Sequence, residues 1–418
     1  MKIQRISSFI PLFFISCAFA FVTVFNYFSL VFIGIIFLII IILFKDKVIL
    51  GKEDKLVFML FYGIFFSSLG ITIFLVFICG INYVVFYPNI FGRMINIVIY
   101  SSIYIFIVDR KNRNKISTKD VLDAYLVGCY ILLFFGIWQL LSNIFKIPYP
   151  TFETRDQIHS METANFLPFM RIRITSIALE PAYLASYLID AIIILICSTK
   201  RYLSIGLFFI ILFFSLSLSG YINIFLIIMI MFGFSRNNSR NMYLNIFIFL
   251  LLLFLFFLLK DIFFTVIKRL NPEALVESGR FQDTELPIKY MFTDASLFNI
   301  IFGFGPKGFG YVRRFLSYTR GWARNTEIST TSHVIFVDFL VEYGVLGVIL
   351  ILLLFYYLYQ YAKITYRFTA NRLSQLLCIN LLISALYTSD YASPRFSIML
   401  IIILFLYKDA KTDENIIY

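Results

Sequence analysis

Long apolar stretches separated by short charged segments run along the whole chain. A helix rises 1.5 Å per residue, so apolar stretches of about 15 to 25 residues fit the hydrocarbon core of a membrane. The first stretch is too long for one span, and a tight turn near Asn26 is predicted to divide it. The pattern predicts about twelve membrane-spanning helices, at about residues 8–25, 29–44, 57–79, 94–108, 121–144, 181–198, 202–217, 220–234, 242–259, 334–358, 374–389 and 395–407.

The composition supports this prediction. Of the 418 residues, 61% are apolar and 14% are charged, whereas soluble domains average about 45–50% apolar and about 25% charged. Disordered, coiled-coil, collagen and disulfide-rich classes are excluded. We expect an all-α integral membrane protein that forms a single polytopic domain over residues 1–418.

The net charge of +12 bears on topology. Lys and Arg beside membrane spans usually mark cytoplasmic segments, so the charge does not predict a nucleic-acid partner. Nearly all cations of the short connections fall on one side of the predicted membrane, and the short turns on the other side hold only Arg93 and Arg395. Both termini are therefore predicted to be cytoplasmic.

This topology places two long polar segments outside the cell membrane. One is an external loop at residues 145–180, and the other is a large external loop at 260–332, between spans 9 and 10. Both histidines, His159 and His333, lie within or next to these loops. Long connections are often functional, so the active site is expected here.

The first candidate group lies where the shorter loop meets the sixth span. Glu180 and Pro181 are typical of a helix start, with proline at the first helical position and a carboxylate at the positive end of the helix dipole. Arg171 and Arg173 would share one face of an extended segment, where they could bind phosphate. Tyr183 lies in the first turn of the predicted helix.

The second candidate group lies in the larger loop. Its glycines formally match G-x-G-x-x-G, but a dinucleotide site requires a βαβ unit, which the pattern does not predict here. Two interpretations remain open: glycine turns, or glycines that let the backbone approach a lipid-linked phosphate or sugar. The group comprises Arg280, Gly303, Gly305, Lys307, Gly308, Arg313 and Arg314.

The third candidate group lies at the start of the tenth span. At 100° per residue, His333, Leu340, Gly344 and Gly347 fall on one helix face, with His333 at the outer end. The glycines would permit close helix contact. A lone histidine is often structural, but this one is predicted at the membrane boundary, where a lipid-borne substrate presents its polar head.

The three groups, in this order, resemble the motifs of the bacterial O-antigen polymerase and O-antigen ligase superfamily. Arg173 to Pro181, the Arg280 region, Gly303 to Gly305, Ser332-His333 and Glu342 to Gly347 carry the resemblance. Val334 stands where ligase-like members typically have Asn, and Glu180-Pro181 resembles the polymerase members more. The resemblance implies the type C fold of integral-membrane glycosyltransferases and a lipid-pyrophosphate donor used without a metal.

The chemistry of such a reaction assigns roles to these residues. A transferase outside the cytoplasm lacks nucleotide sugars, so its donor is expected to be a glycan on undecaprenyl pyrophosphate. No two Asp residues lie two apart in the sequence to hold a metal. We therefore predict that Arg173 and Arg280 neutralise the leaving pyrophosphate, since guanidinium binds phosphate oxygens bidentately.

His333 is the predicted general base, because histidine has an unperturbed pKa of about 6.5. A single displacement would invert the anomeric centre. No cofactor or metal is expected. The predicted substrate-binding residues are Arg171, Glu180, Tyr183, Gly303, Gly305, Lys307, Arg313 and Arg314.

The expected function is an O-antigen or capsular repeat-unit polymerase in the bacterial inner membrane, with its active site facing the periplasm or exterior. Its expected partners are an undecaprenyl-pyrophosphate-linked oligosaccharide, membrane lipid and a chain-length regulator protein. The alternatives are an O-antigen ligase that uses lipid A core as acceptor, and a flippase or other transporter of lipid-linked oligosaccharides.

Overall fold

The computed structural model is almost entirely helical. It describes residues 23–24, 28–29, 48–77, 87–149, 162–167, 170–178, 180–199, 201–233, 279–310, 312, 332–389, 391 and 393–417. The helices are α1 (Lys52–Phe58), α2 (Ile64–Phe77), α3 (Tyr87–Asn112), α4 (Thr118–Phe145), α5 (Pro181–Ile194), α6 (Tyr202–Phe214), α7 (Leu218–Gly233), α8 (Gly279–Thr293), α9 (Leu297–Phe302), α10 (Ile335–Thr369), α11 (Leu373–Ser384) and α12 (Pro394–Ile417).

Two pairs of short antiparallel strands accompany the helices. Strand β1 (Thr23–Val24) pairs with β2 (Phe28–Ser29), and β3 (Glu162–Leu167) pairs with β4 (Met170–Ile172). The strand pairs satisfy backbone groups that no helix satisfies. They correct the all-α prediction in detail, because Thr23, Val24 and Ser29 were expected to be helical.

Helices overlap each predicted span from the third to the twelfth, except 242–259, which lies outside the described residues, although α6 ends at Phe214 and α11 at Ser384, before the predicted ends at 217 and 389. Most of the first two predicted spans also lie outside them. By length and composition, three described helices could cross a membrane: Thr118–Phe145, Ile335–Thr369 and Pro181–Ser198, in which α5 continues into the π-helical turn Leu195–Thr199. The prediction of an α-helical membrane protein is confirmed.

Helix α12 lies at the centre of the bundle. Its residues from Ile398 to Phe405 are buried, so this helix is apolar on every side, as expected for a helix surrounded by others. It packs against α10, α11, α3 and α4. A smaller apolar cluster joins α8 and residues 303–310, which we call the glycine segment, to the first part of α10, through residues such as Met291, Phe309 and Val341.

Charged side chains gather where α4 begins and α12 ends, which we call the charged end. Lys408 Nζ donates to Asp54 Oδ2 at 2.7 Å, and Lys111 pairs with Asp409. Helix α4 begins here with a capping box formed by Ser117 and Asp120, which satisfies two free backbone donors. Lys111 and Lys408 are among the cations that the sequence predicts to be cytoplasmic.

The opposite end of α4 approaches the starts of α5, α7 and α10, which we call the site end. The connection from α11 to α12 links these helices. Ala385 accepts a hydrogen bond from the backbone of Ile335 at 2.9 Å. The Tyr387 hydroxyl lies 3.2 Å from Ser186 Oγ of α5 and accepts from Asn223 of α7 at 2.7 Å.

Candidate functional site

Arg173 lies against the carboxyl end of α6. Its Nη2 donates to the carbonyl of Leu216 at 2.7 Å, and the next residue, Ile174, donates its N–H to Phe214 at 3.3 Å. The last carbonyls of a helix have no partner within it, and a cation is favoured beside them. The half-buried Arg173 is thus held at the site end by the connection that follows α6, while the N–H of Ile174 caps the last carbonyl of that helix.

Gln139 of α4 fixes the turn that follows Arg173. Its Oε1 accepts the backbone N–H groups of Thr175 at 2.9 Å and Ser176 at 2.8 Å. Ser176 adopts a left-handed conformation with φ of 56°, and its hydroxyl donates to Leu132 at 2.7 Å. The position of Arg173 therefore depends on α4 as well as α6.

Tyr149 also contacts this turn. Its hydroxyl donates to the carbonyl of Ser176 at 3.0 Å. Burial raises the pKa of Tyr149 well above its usual value of 10, because the phenolate form loses its hydration. The hydroxyl therefore stays protonated and keeps its hydrogen bond over the physiological pH range.

Glu180 and Pro181 begin α5 as the helix-start interpretation requires. Glu180 is the N-cap, with extended φ and ψ of −138° and 156°, and Pro181 is the first helical residue. The Glu180 carbonyl accepts the N–H of Leu184 at 3.2 Å, while its carboxylate makes no capping hydrogen bond. Tyr183 packs partly buried against the main core. A role in substrate binding stays a prediction for both residues.

Gly303 is the C-cap of α9, and the backbone of Gly303 lies in close contact with α10. Its φ is 78°, and a side chain there would overlap with the backbone of Glu342 and Tyr343. The next two N–H groups bind α10 carbonyls: Phe304 donates to Val341 at 2.8 Å and Gly305 to Glu342 at 2.9 Å. The close backbone approach seen at these glycines is therefore to α10.

Gly344 is the matching feature on α10. Its φ of 69° and ψ of −168° interrupt the helix, and a side chain there would overlap with the backbone of Ile301 and Phe302. An interrupted helix leaves carbonyls of the preceding turn without helical partners, and the glycine segment supplies donors for two of them. The predicted close helix contact at Gly344 is made by α9.

His333 precedes α10 and does not lie on it. The helix begins at Ile335, and His333 has a left-handed φ of 68°. The predicted common face of His333, Leu340, Gly344 and Gly347 is wrong for this reason, and because the helix is interrupted at Gly344. His333 is half-buried at the site end. Ser332 before it donates its N–H to Asp338 Oδ1 at 2.7 Å.

The remaining candidates lie in or beside segments that are only partly within the described residues. Lys307 is half-buried with φ of 65° in the glycine segment. Arg171 lies in β4 and Arg280 in the first turn of α8, but their side chains fall outside the described residues. Arg313 and Arg314 fall outside them entirely. In the part of the chain that the structure describes, no cluster of three His, Cys, Asp or Glu residues could hold a metal ion.

A buried ion pair was missed by sequence reasoning. Arg395 was predicted in a short outer turn, but its side chain is fully buried, and its Nε donates to Asp190 Oδ2 of α5 at 2.6 Å. Tyr125 and Asn380 also donate to this carboxylate, at 2.7 and 2.5 Å. The signal was an Asp inside an apolar stretch, which needs a partner within the membrane.

The structure thus brings several candidates to one end of the bundle. The glycine segment and the His333 turn both contact the first ten residues of α10. The glycine segment binds Val341 and Glu342, and the His333 turn binds Asp338. Arg173 and the start of α5 approach the same end through α6, α7 and Tyr387. Cationic, hydrogen-bonding and titratable side chains therefore lie near the starts of α5 and α10.

A comparison with protein families identifies a related segment. The family model described as O-antigen ligase matches residues 203–352, which include α6, α7, the glycine segment, His333 and the first half of α10. No curated protein matches the chain. Proteins of this family are glycosyltransferase-like enzymes in general terms. Over residues 203–352, this α-helical membrane protein is therefore similar to the O-antigen ligase family, in agreement with the predicted resemblance to the O-antigen ligase and polymerase superfamily.

Proposed function

We propose that the chain is a repeat-unit polymerase for O-antigen or capsular polysaccharide, acting on the outer face of the inner membrane. It transfers a growing glycan from undecaprenyl pyrophosphate onto a second lipid-linked repeat unit. The observation that carries the proposal is the joint anchoring of the glycine segment and the His333 turn on the first part of α10. Both lie within the family match.

The proposed reaction is one displacement at the anomeric carbon. An acceptor hydroxyl oxygen attacks this carbon, and its proton passes to His333. The bond from the anomeric carbon to the pyrophosphate oxygen breaks, and the electron pair remains on the leaving pyrophosphate. Arg173 and Arg280 neutralise this charge, and the anomeric configuration inverts.

The other residues bind the two substrates in this proposal. Arg171, Arg313 and Arg314 supply further positive charge near the pyrophosphate, and Lys307 does so from the glycine segment. Glu180 and Tyr183, at the start of α5, offer hydrogen bonds to sugar hydroxyls. Gly303 and Gly305 hold the glycine segment against α10, so that Lys307 is carried on a fixed loop.

Two sequence features favour a polymerase over a ligase. Glu180-Pro181, which begins α5, resembles the polymerase members, and Val334 stands where ligase-like members typically have Asn. A transporter is the candidate from another class. The buried Asp190–Arg395 pair is the kind of intramembrane charge that transporters use. Here each charge has several hydrogen-bond partners, which favours a structural role.

Deletion of the gene, followed by gel analysis of surface glycan, separates the three candidates. A single repeat unit on the acceptor supports the polymerase. Complete loss of glycan from the acceptor supports the ligase instead. Accumulation of the lipid-linked repeat unit on the cytoplasmic face supports a transporter and would refute the proposal.

A further inference from the structure

The backbone at His333 is held in an unfavourable conformation. Its φ of 68° lies in the left-handed region, which residues with a side chain rarely adopt unless their surroundings impose it. The contacts that impose it here involve the two residues beside His333. The Ser332 hydroxyl donates to the Val334 carbonyl at 2.8 Å and accepts the Val334 N–H at 3.1 Å.

Asp338 anchors this turn from within α10. Its Oδ1 accepts the N–H of Ser332 at 2.7 Å, and its Oδ2 accepts a hydrogen bond from the Ser389 hydroxyl. The side chain is fully buried. A buried acceptor that binds a backbone donor fixes that part of the chain strongly, because neither group can turn to water.

The anchoring joins three separate segments. Ser332 belongs to the turn, Asp338 to the first turn of α10, and Ser389 to the connection between α11 and α12. The N–H of Ile335 binds Ala385 of the same connection at 2.9 Å. The position of His333 is therefore set by α10 and by the end of α11 together.

We propose that Asp338 is a positioning residue for the transfer reaction, which acts by holding the His333 turn. This inference rests on the proposed function, in which His333 is the general base. In this inference Asp338 acts through the Ser332 backbone and not directly on the substrate. Its loss would let the turn relax, and a displacement of about 1 Å at a catalytic group can cost about a hundredfold in rate.

The chain offers a matched control at the charged end. Asp109 is a buried carboxylate whose Oδ1 accepts a backbone N–H, from Ile49, at 3.0 Å. It lies far from His333 along the bundle, at the carboxyl end of α3. Asp109→Ala removes such an anchor together with the ion pair of Asp109 to Arg113 at 2.9 Å, and is expected to lower protein abundance without changing kcat per folded enzyme.

The test is a double-mutant cycle on the full chain in proteoliposomes. The donor and acceptor are lipid-linked oligosaccharides extracted from cells that lack the gene. We expect Asp338→Ala to lower kcat by about a hundredfold with KM nearly unchanged. The double variant Asp338→Ala with His333→Gln should be no slower than His333→Gln alone, because Asp338 acts only through His333.

Asp338→Asn guards against a variant that does not fold. The amide oxygen can still accept the Ser332 N–H, so we expect it to lose about tenfold or less. Losses that multiply in the double variant, or wild-type kcat for Asp338→Ala, would overturn the inference. Near-normal turnover of His333→Gln would instead refute the proposed general base, so the two failures are distinguishable.

Discussion

Arg173 combines a structural contact with a proposed catalytic one. Its guanidinium binds the Leu216 carbonyl at the end of α6, which orients the side chain at the site end before any substrate arrives. An arginine already held in place loses less conformational entropy when it binds phosphate. This is the physical reason to expect a larger effect at Arg173 than at an exposed cation.

We predict that Arg173→Ala abolishes long glycan at normal protein abundance, whereas Arg173→Lys restores it only in part. An ammonium group can replace the contact to Leu216 but not the bidentate contact to phosphate. Gel analysis of surface glycan, normalised by immunoblot, is the measurement. Arg201→Ala, an exposed cation at the other end of α6, is the control. Full-length glycan from Arg173→Ala would remove the phosphate-binding role.

We predict that His333→Gln lowers the rate of repeat-unit transfer by about 10²–10⁴-fold, the usual effect of losing general-base help. Glutamine keeps a hydrogen-bonding side chain but cannot accept the proton. The measurement is transfer by purified protein at equal abundance, with EDTA present throughout. Near-normal turnover would assign His333 a structural role, and a requirement for added Mg²⁺ or Mn²⁺ would contradict the metal-free mechanism.

At this scale the sequence indicated residue types better than residue geometry. Arg173 and the Glu180-Pro181 helix start were recognisable, because capping and charge are local properties. Asp338 and Arg395 were not, since their partners Ser332, Ser389 and Asp190 are brought near only by the packed bundle. The left-handed conformation of His333 was not predictable either, because positive φ is uncommon even for histidine and the contacts of Ser332 that hold it are supplied by the packed bundle.

Among the elements, the interrupted helix α10 has the largest consequence for the site. The backbone of Gly344 lies against Ile301 and Phe302, and that of Gly303 lies against Glu342 and Tyr343. Because neither glycine has a side chain, the backbones of α9 and α10 can approach each other closely at this point. The contact sets where the glycine segment leaves α9 and where it meets α10.

We predict that Gly344→Ala destabilises the protein by at least about 2 kcal/mol, because a side chain adds the cost of positive φ to direct overlap with α9. Thermal unfolding in detergent measures the change, and transfer activity should fall with it. Gly206→Ala is the matched control: this helical glycine of α6 has open space around it, so alanine should be neutral or stabilising. Equal melting temperatures for Gly344→Ala and the wild type would contradict the described contact.

The extents of the helices were largely predictable. The apolar stretches alone placed α4, α5 and α10 to within a few residues of their observed bounds at one or both ends, because in a membrane a long apolar stretch has few alternatives to a helix. The interruption of α10 was not predictable in the same way. A glycine in an apolar stretch fits a straight helix equally well, and only the contact with α9 selects the interruption.

For the whole molecule, the distribution of charge predicts orientation. Cations and carboxylates gather at the charged end, where Lys408 binds Asp54 and Lys411 binds Glu53 at 3.1 Å. The pKa of Glu53 is lowered by its backbone hydrogen bond and by Lys411, so this carboxylate stays ionised at neutral pH. The site end carries the candidate residues.

We predict that reporter fusions after Lys115, Arg240 and Arg372 score as cytoplasmic, and that fusions after Glu153 and Glu277 score as external. The bias of Lys and Arg toward cytoplasmic connections is the physical reason. Paired reporters that are active on opposite sides of the membrane give the measurement and its internal control. A cytoplasmic signal after Glu277 would reverse the predicted topology and place the His333 turn on the wrong face.

The glycine segment and Ser332 are both anchored on α10, and this bears on how the length of the sequence between them can vary. Gly305 binds Glu342 and Ser332 binds Asp338, so the chain between Gly305 and Ser332 leaves α10 and returns to it one turn away. Because both ends of this segment are fixed, lengthening it costs little in closure entropy, about 0.6 kcal/mol for each doubling of its length. The intervening sequence can therefore lengthen or shorten while both anchors, and the histidine beside one of them, keep their places.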